Sequence, residues 1–402
     1  MKSLLMVFTL CGSIASAGPG LEPSNPNASA AARRVLTTLA GLPDRPTHRL
    51  LSGQNVGHGP EVTAGYTTWV VNLHRDTGKW VGVVGADYAL GSLDDKWFAS
   101  VNAIVTQHWQ AGGLVTLCLC SLNNPVTGGD HNDRSFHDLQ AMATPGTSAN
   151  AQWLVMLDRV AGALATLRDA GVVVLWRPLH EMNLPNSAWW ADEPPASYVA
   201  LWRQMHHYLS VDKGLDNLLW VYAPNGVAYD NGTKPPADYY PGDDVVDVVG
   251  LDWYSDEPTK IGAGGYDALI AKGKPFGFTE FGPDIAKSTT AHDLPTLLDG
   301  LRVNAPRAAF FWAWQSYGGH QMALVSHKNA KSALEHESVM NCDDLDFGAD
   351  AGRCQALSSL TPTSPGCGCQ SGFSSSAAWL ALLLLVVRKR EVPRVASTGR
   401  AG

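Results

Sequence analysis

The sequence predicts an α/β fold, a (β/α)8 TIM barrel, and three observations lead there. Eight short apolar runs punctuate the chain, each too short and too rich in β-branched or aromatic residues for a helix. Helical patterns alternate with them, as in parallel strands joined by crossover helices. Two glutamates, Glu181 and Glu280, lie at or near the ends of two of the runs. In a barrel all strand C-termini share one rim, where the chemistry sits. An open doubly wound sheet, the competing fold, would spread those ends along a line.

In chain order the runs cover residues 50–54, 81–88, 114–121, 172–181, 218–225, 245–254, 275–282 and 308–315. The clearest helix spans 151–170, where Trp153, Leu157, Val160, Leu164 and Leu167 share a stripe. Ser148 is placed to cap it and Gly171 to end it. Further helices are predicted over 95–110, 196–209 and 291–303. Glu181 ends the fourth run and Glu280 lies near the end of the seventh, so both belong on the same rim.

Outside the barrel, residues 1–17 read as a secretory signal: Lys2, an apolar run at 4–10, then Ala15-Ser16-Ala17. Residues 18–355 form the expected catalytic domain, 356–375 a Ser/Thr/Pro/Gly linker and 376–402 a hydrophobic sorting or anchor segment. Its apolar part, 377–387, is too short to span a bilayer comfortably, and Arg388-Lys389-Arg390 follows it. An exported protein at the cell surface or outside the cell is expected, with the envelope as partner through this segment. Cys342 and Cys354 are expected to form a disulfide, whereas Cys118 and Cys120 read as buried thiols.

Charged residues make up only 16% of the 402 and the net charge is −8, so no nucleic-acid partner is expected. The chain is expected to act as a monomer. Its 14 tryptophans suit a protein that stacks indoles on sugar rings, although most such residues fill space. Two rim carboxyls with tryptophans close by in sequence point to glycoside hydrolysis. That reaction needs one carboxylic acid to protonate the leaving oxygen and one carboxylate to attack or to activate water. It requires no cofactor and no metal. His180-Glu181 is not a zinc-protease motif, since position 184 is leucine. Asp343, Asp344, Asp346 and Asp350 lack calcium-loop spacing and read as a solvated loop, and Asp130-His131-Asn132-Asp133 reads as an exposed one.

The stretch Trp176-Arg177-Pro178-Leu179-His180-Glu181-Met182-Asn183, with Thr279-Glu280-Phe281-Gly282, resembles glycoside hydrolase family 26. So do Ser52-Gly53-Gln54, Gly85-Ala86-Asp87-Tyr88, Asn124-Pro125, Gly250-Leu251-Asp252-Trp253-Tyr254 and Asn329-Ala330-Lys331, over roughly residues 30 to 341. The resemblance implies a retaining β-glycanase, chiefly a β-1,4-mannanase, with β-1,3-1,4-glucanases and xylanases as the alternatives within the family and a non-catalytic carbohydrate-binding barrel as the rival outside it. It makes Glu181 the acid/base and Glu280 the nucleophile. It also makes His180 a sugar-binding residue, Tyr254 the group that orients the nucleophile, and Trp314 the floor under the sugar. By strand parity Trp312 could be that floor instead. Trp189 is a further expected substrate contact. Arg177 reads either as a charge behind the carboxyl pair or as a barrel-interior ion pair. Two departures remove sugar-contacting groups: Cys120-Ser121-Leu122 replaces a histidine flanked by tryptophans, and Leu184-Pro185-Asn186 follows Asn183. Gly366-Cys367-Gly368-Cys369 and the tail after it resemble the sorting signal of myxobacterial surface proteins, except that residues 391–402 trail beyond its basic cluster.

Overall fold

The structure is a computed structural model and describes residues 21–227 and 232–345, together with Phe347 and Cys354. The expected signal, linker and anchor segments lie outside the described residues, as do Asp346 and Asp350.

Eight parallel strands pair in chain order: β1 (Leu50–His58), β2 (Val83–Asp87), β3 (Leu114–Cys118), β4 (Val174–Arg177), β5 (Leu218–Tyr222), β6 (Val248–Tyr254), β7 (Phe276–Gly282) and β8 (Ala308–Ala313). The sheet closes where β8 pairs with β1, Leu51 lying opposite Phe310 and Gln54 opposite Ala313. All eight predicted runs are therefore barrel strands. Their apolar continuity follows from burial on both faces, by side chains inside the barrel and helices outside.

The helices Asp95–Gln110, Ser148–Asp169, Pro195–His207 and Leu294–Asn304 pack around this barrel, close to their predicted ranges. Thr147, not Ser148, caps the second of them, its Oγ1 accepting from the Asn150 N–H at 3.0 Å. Gly171, at φ 73°, turns the chain away after it. One crossover departs from the alternating pattern. Between β5 and β6 the described residues form turns and no helix.

Five strands stop short of their predicted ends, and the endings of β3 and β4 shape the rim. β3 ends at Cys118 because the Cys120 N–H leaves the ladder and donates to both carboxylate oxygens of Asp87, at 2.8 and 2.9 Å. β4 ends at Arg177, so Glu181 does not end the strand as expected but stands four positions beyond it, in a loop. Its N–H donates to the Ala223 carbonyl at 2.8 Å, past the end of β5.

Below the mouth the barrel axis is filled by Trp312. A Cβ on Gly85 would lie 2.2 Å from its ring, so only glycine leaves room for the indole there. The Arg177 guanidinium covers the same ring, 5.0 Å from its centroid.

Candidate active site

Glu280 lies within β7, and its carboxylate is almost fully buried. Arg177, the last residue of β4, donates from Nη2 to Glu280 Oε1 at 2.8 Å. Tyr254, the last residue of β6, donates its hydroxyl to Oε2 at 2.7 Å. The other arm of Arg177 reaches Asp252 Oδ2 at 3.2 Å, and Thr279 donates to Asp252 Oδ1 at 2.6 Å. Arg177 is thus an interior ion pair and the charge behind a rim carboxylate at once. Such a pair is retained at a desolvation cost when it sets a charge where one is needed.

Glu181 stands differently. Leu179 and Glu181 have φ of 48° and 53°, a region that side chains other than Gly, Asn and Asp seldom adopt. Long-range bonds hold the loop there. Tyr198 donates its hydroxyl to the Leu179 carbonyl at 3.1 Å, Trp190 its indole N–H to the His180 carbonyl at 2.8 Å, and Ser187 its hydroxyl to the Glu181 carbonyl at 3.1 Å. Asn183 bridges the loop to Asn225 and Lys234. The Glu181 carboxyl is half-buried and accepts from Asn225 Nδ2 at 2.6 Å.

These settings divide the protons. Burial, and then the negative charge of Glu280, push Glu181 up to about 7. Burial also raises Glu280, but the charge and hydrogen bond of Arg177 and the hydroxyl of Tyr254 oppose it. Glu181 has the Asn225 amide and, after it, the charge of Arg177, without a hydrogen bond from that guanidinium, so the proton that the pair retains near neutrality belongs on Glu181. His180 has its Nε2 3.5 Å from Glu280 Oε1. Burial and the neighbouring Arg177 hold it well below its ordinary value, which makes it a neutral imidazole. Among the described residues its buried Nδ1 has no hydrogen-bond partner. A charged carboxylate, a protonated one and an unspent imidazole nitrogen at one barrel mouth suit attack and proton donation at an acetal carbon. His180, Asp252 and Glu280 also bring donor atoms within 4.8 Å of one another. The guanidinium of Arg177 already bridges the two carboxylates, so a metal cation there would meet a positive charge.

Of the two candidate floors, Trp312 is sealed beneath Arg177, with 1% of its surface exposed. Trp314 follows β8, remains 6% exposed and meets Trp312 edge-on, with centroids 5.5 Å apart. Trp189 departs from expectation. It is completely buried, donates its indole N–H to the Leu122 carbonyl at 2.9 Å and packs against Trp153 and Trp190, so no face remains for a sugar. The loop 130–133 is half-buried rather than exposed, and the His131 carbonyl accepts from the Trp189 N–H at 2.7 Å. Cys342 and Cys354 are disulfide-bonded as expected. Asp344 caps the short turn after Asn341, accepting from its N–H at 2.8 Å, so this acid of the acidic loop has a local task.

The site includes residues that the sequence reading passed over. Asn225 lay at the end of the fifth run, and Asp87 in the quoted Gly-Ala-Asp-Tyr motif, but neither was singled out. His58 and Tyr317 gave no signal at all. Burial, followed by the charges of Glu280 and Glu181, pushes the Tyr317 hydroxyl up to about 12.

Residues 24–344 match the pattern of glycosyl hydrolase family 26. The chain is 32% identical to a mannan endo-1,4-beta-mannosidase of Bacillus subtilis (strain 168), covering 84% of this chain and 93% of that protein. It is 30% identical to mannan endo-1,4-beta-mannosidase A and B of Caldalkalibacillus mannanilyticus, over 87% and 68% of the two chains. Among solved structures, a Bacillus subtilis mannanase superposes with a TM-score of 0.70 at 30% identity, over 79% of this chain and 94% of that one.

Proposed function

The chain belongs to glycosyl hydrolase family 26, and from that premise we propose that it is a retaining endo-β-1,4-mannanase acting by double displacement. The observation that carries this is the unequal setting of the two glutamates. Glu280, held by two donors, is the nucleophile; Glu181, raised to about 7 in its loop, is the acid/base. In the first step a Glu280 oxygen bonds to the anomeric carbon. The bond to the leaving oxygen breaks, and that oxygen takes the proton of Glu181. In the second step Glu181 removes a proton from water, which attacks the same carbon and releases Glu280 with net retention. Tyr254 and Arg177 keep Glu280 oriented and charged. The unpartnered Nδ1 of His180 is the group offered to a sugar hydroxyl, and Trp314 is the floor beneath the ring.

Residues 18–355 make up the catalytic unit in this reading. Export is supported by the Cys342–Cys354 bond, which suits an oxidising compartment. A reducing-sugar assay across mannan, glucomannan, barley β-glucan and xylan tests the substrate. Mannan and glucomannan should be cut fastest. Faster cleavage of barley glucan or xylan would replace the mannanase reading with a glucanase or xylanase working through the same two glutamates.

A further inference from the structure

We propose that His58 is a sugar-binding residue for the glycone, the part of the substrate that becomes bonded to Glu280. The inference rests on the glycanase reading above and extends it to a residue outside the carboxyl pair. His58 is the last residue of β1, at the rim end of the strand, and 7% exposed. Its Nδ1 lies 3.3 Å from Asp87 Oδ2. Asp87 is fully buried and cannot swing, because its carboxylate also accepts from the Cys120 N–H through both oxygens and from the Ala89 N–H at 3.3 Å. A pinned carboxylate fixes the imidazole: Nδ1 carries its proton toward Asp87, and Nε2 points away from it. Among the described residues no protein group hydrogen-bonds that Nε2.

The second wall of the ring is Trp314, whose centroid is 6.0 Å away at 63°. A pyranose lying on Trp314 therefore has the His58 edge beside its hydroxyls. β1 pairs with β8 and β8 with β7, so His58, Trp314 and Glu280 come from consecutive staves. Glu181, which protonates the leaving oxygen in the proposed reaction, projects from the loop after β4, across the mouth. His58 is thus on the side of the sugar that stays, not of the chain that leaves. Charge supports the donor role. Burial pulls the imidazole down, but Asp87, Glu61 and Glu280 together outweigh it and leave its pKa raised, which favours a positively charged N–H donor.

The test is the kinetics and cleavage pattern of reducing-end-labelled mannopentaose with His58→Phe and His58→Gln, each checked by thermal melting. His58→Phe should raise KM about 10- to 100-fold, the loss of one charge-assisted hydrogen bond, with kcat within about threefold of wild type. The labelled products should shift, because a weakened glycone site lets the chain bind in other registers. His58→Gln, which keeps a side-chain donor of similar reach, should recover most of the KM. If His58→Phe does not fold, His58→Ala carries the test, and added imidazole should lower its raised KM. An unchanged KM and product pattern, or an equal fall of kcat in both variants with the pattern intact, would overturn the proposal in favour of a purely structural ion pair. A wild-type enzyme that prefers glucan or xylan would overturn the mannanase label alone, and the same measurements on the matching oligosaccharide would still decide the role of His58.

Discussion

Glu280 and Glu181 are the same residue type on the same rim, yet the ends of β7 and β4 treat them in opposite ways. Glu280 stays in the ladder, at a register shift between β6 and β7, with its carboxylate between the guanidinium of Arg177 and the hydroxyl of Tyr254. Glu181 has left the ladder, holds a φ of 53° and accepts from the amide of Asn225. The ladder end provides a buried carboxylate whose charge two donors support; the loop end provides a half-buried carboxyl that burial and the charge of Glu280 push up to about 7. Two carboxyls become an acid and a base when one is given donors and the other is denied them.

The largest effect should come from breaking the ladder side. In Glu280→Ala the first step should be lost with every leaving group, by about 10⁴-fold or more in kcat/KM. Added azide should restore turnover of an activated aryl glycoside and yield the α-glycosyl azide; ordinary turnover without azide would reverse the assignment.

Glu181→Ala should be selective. Polysaccharide cleavage should fall by about 10²- to 10⁴-fold, the usual weight of general acid catalysis. With a dinitrophenyl glycoside the first step should survive, and the glycosyl-enzyme should accumulate as a burst because its hydrolysis lacks the base. A uniform loss with both leaving groups would mean that Glu181 is not the proton donor.

Tyr254→Phe removes one of the two donors that hold Glu280. The carboxylate loses support for its charged form, its pKa rises, and the acid limb of the kcat/KM profile should move to higher pH. A loss of about 10- to 100-fold at the optimum is expected for a hydrogen bond to a charged group. An unmoved acid limb would show that Arg177 alone sets the charge.

The mildest perturbation sharpens the loop side. The Asn225 amide favours the charged form of Glu181, so Asn225→Ala should raise the pKa of the acid. The first step needs that acid protonated and is lost as pH rises through its pKa. The alkaline limb, expected near pH 7, should therefore shift upward in the variant, with a loss at the optimum of about tenfold or less. A downward shift would mean that Asn225 supports the protonated acid instead.

Legibility followed how local the cause was. Each barrel strand was readable because burial on both faces leaves an apolar run, and such a run is a property of four to nine consecutive residues. The helix Asp95–Gln110 fell where its stretch was predicted, and its Asp94 cap, which the sequence reading did not use, is adjacent in sequence. Arg177, His180, Glu181, Tyr254 and Glu280 could be gathered because barrel topology brings strand ends together, whatever their separation along the chain. The same logic could not tell Trp312 from Trp314, or show that Trp189 faces inward. Strand parity assigns a side, not a depth, and the depth of Trp312 depends on Gly85 of another strand.

The sequence by itself determined the barrel, the order of its strands and which carboxyls share a rim, because periodicity and chain order suffice for those. Only the tertiary structure shows which donors each glutamate meets, where β4 ends and which indoles remain open. Desolvation, a positive φ held by bonds from Ala223, Trp190 and Tyr198, and the Asp87 clamp on His58 all arise from groups distant in sequence. Their strength depends on the distances and burial that closure of the barrel creates.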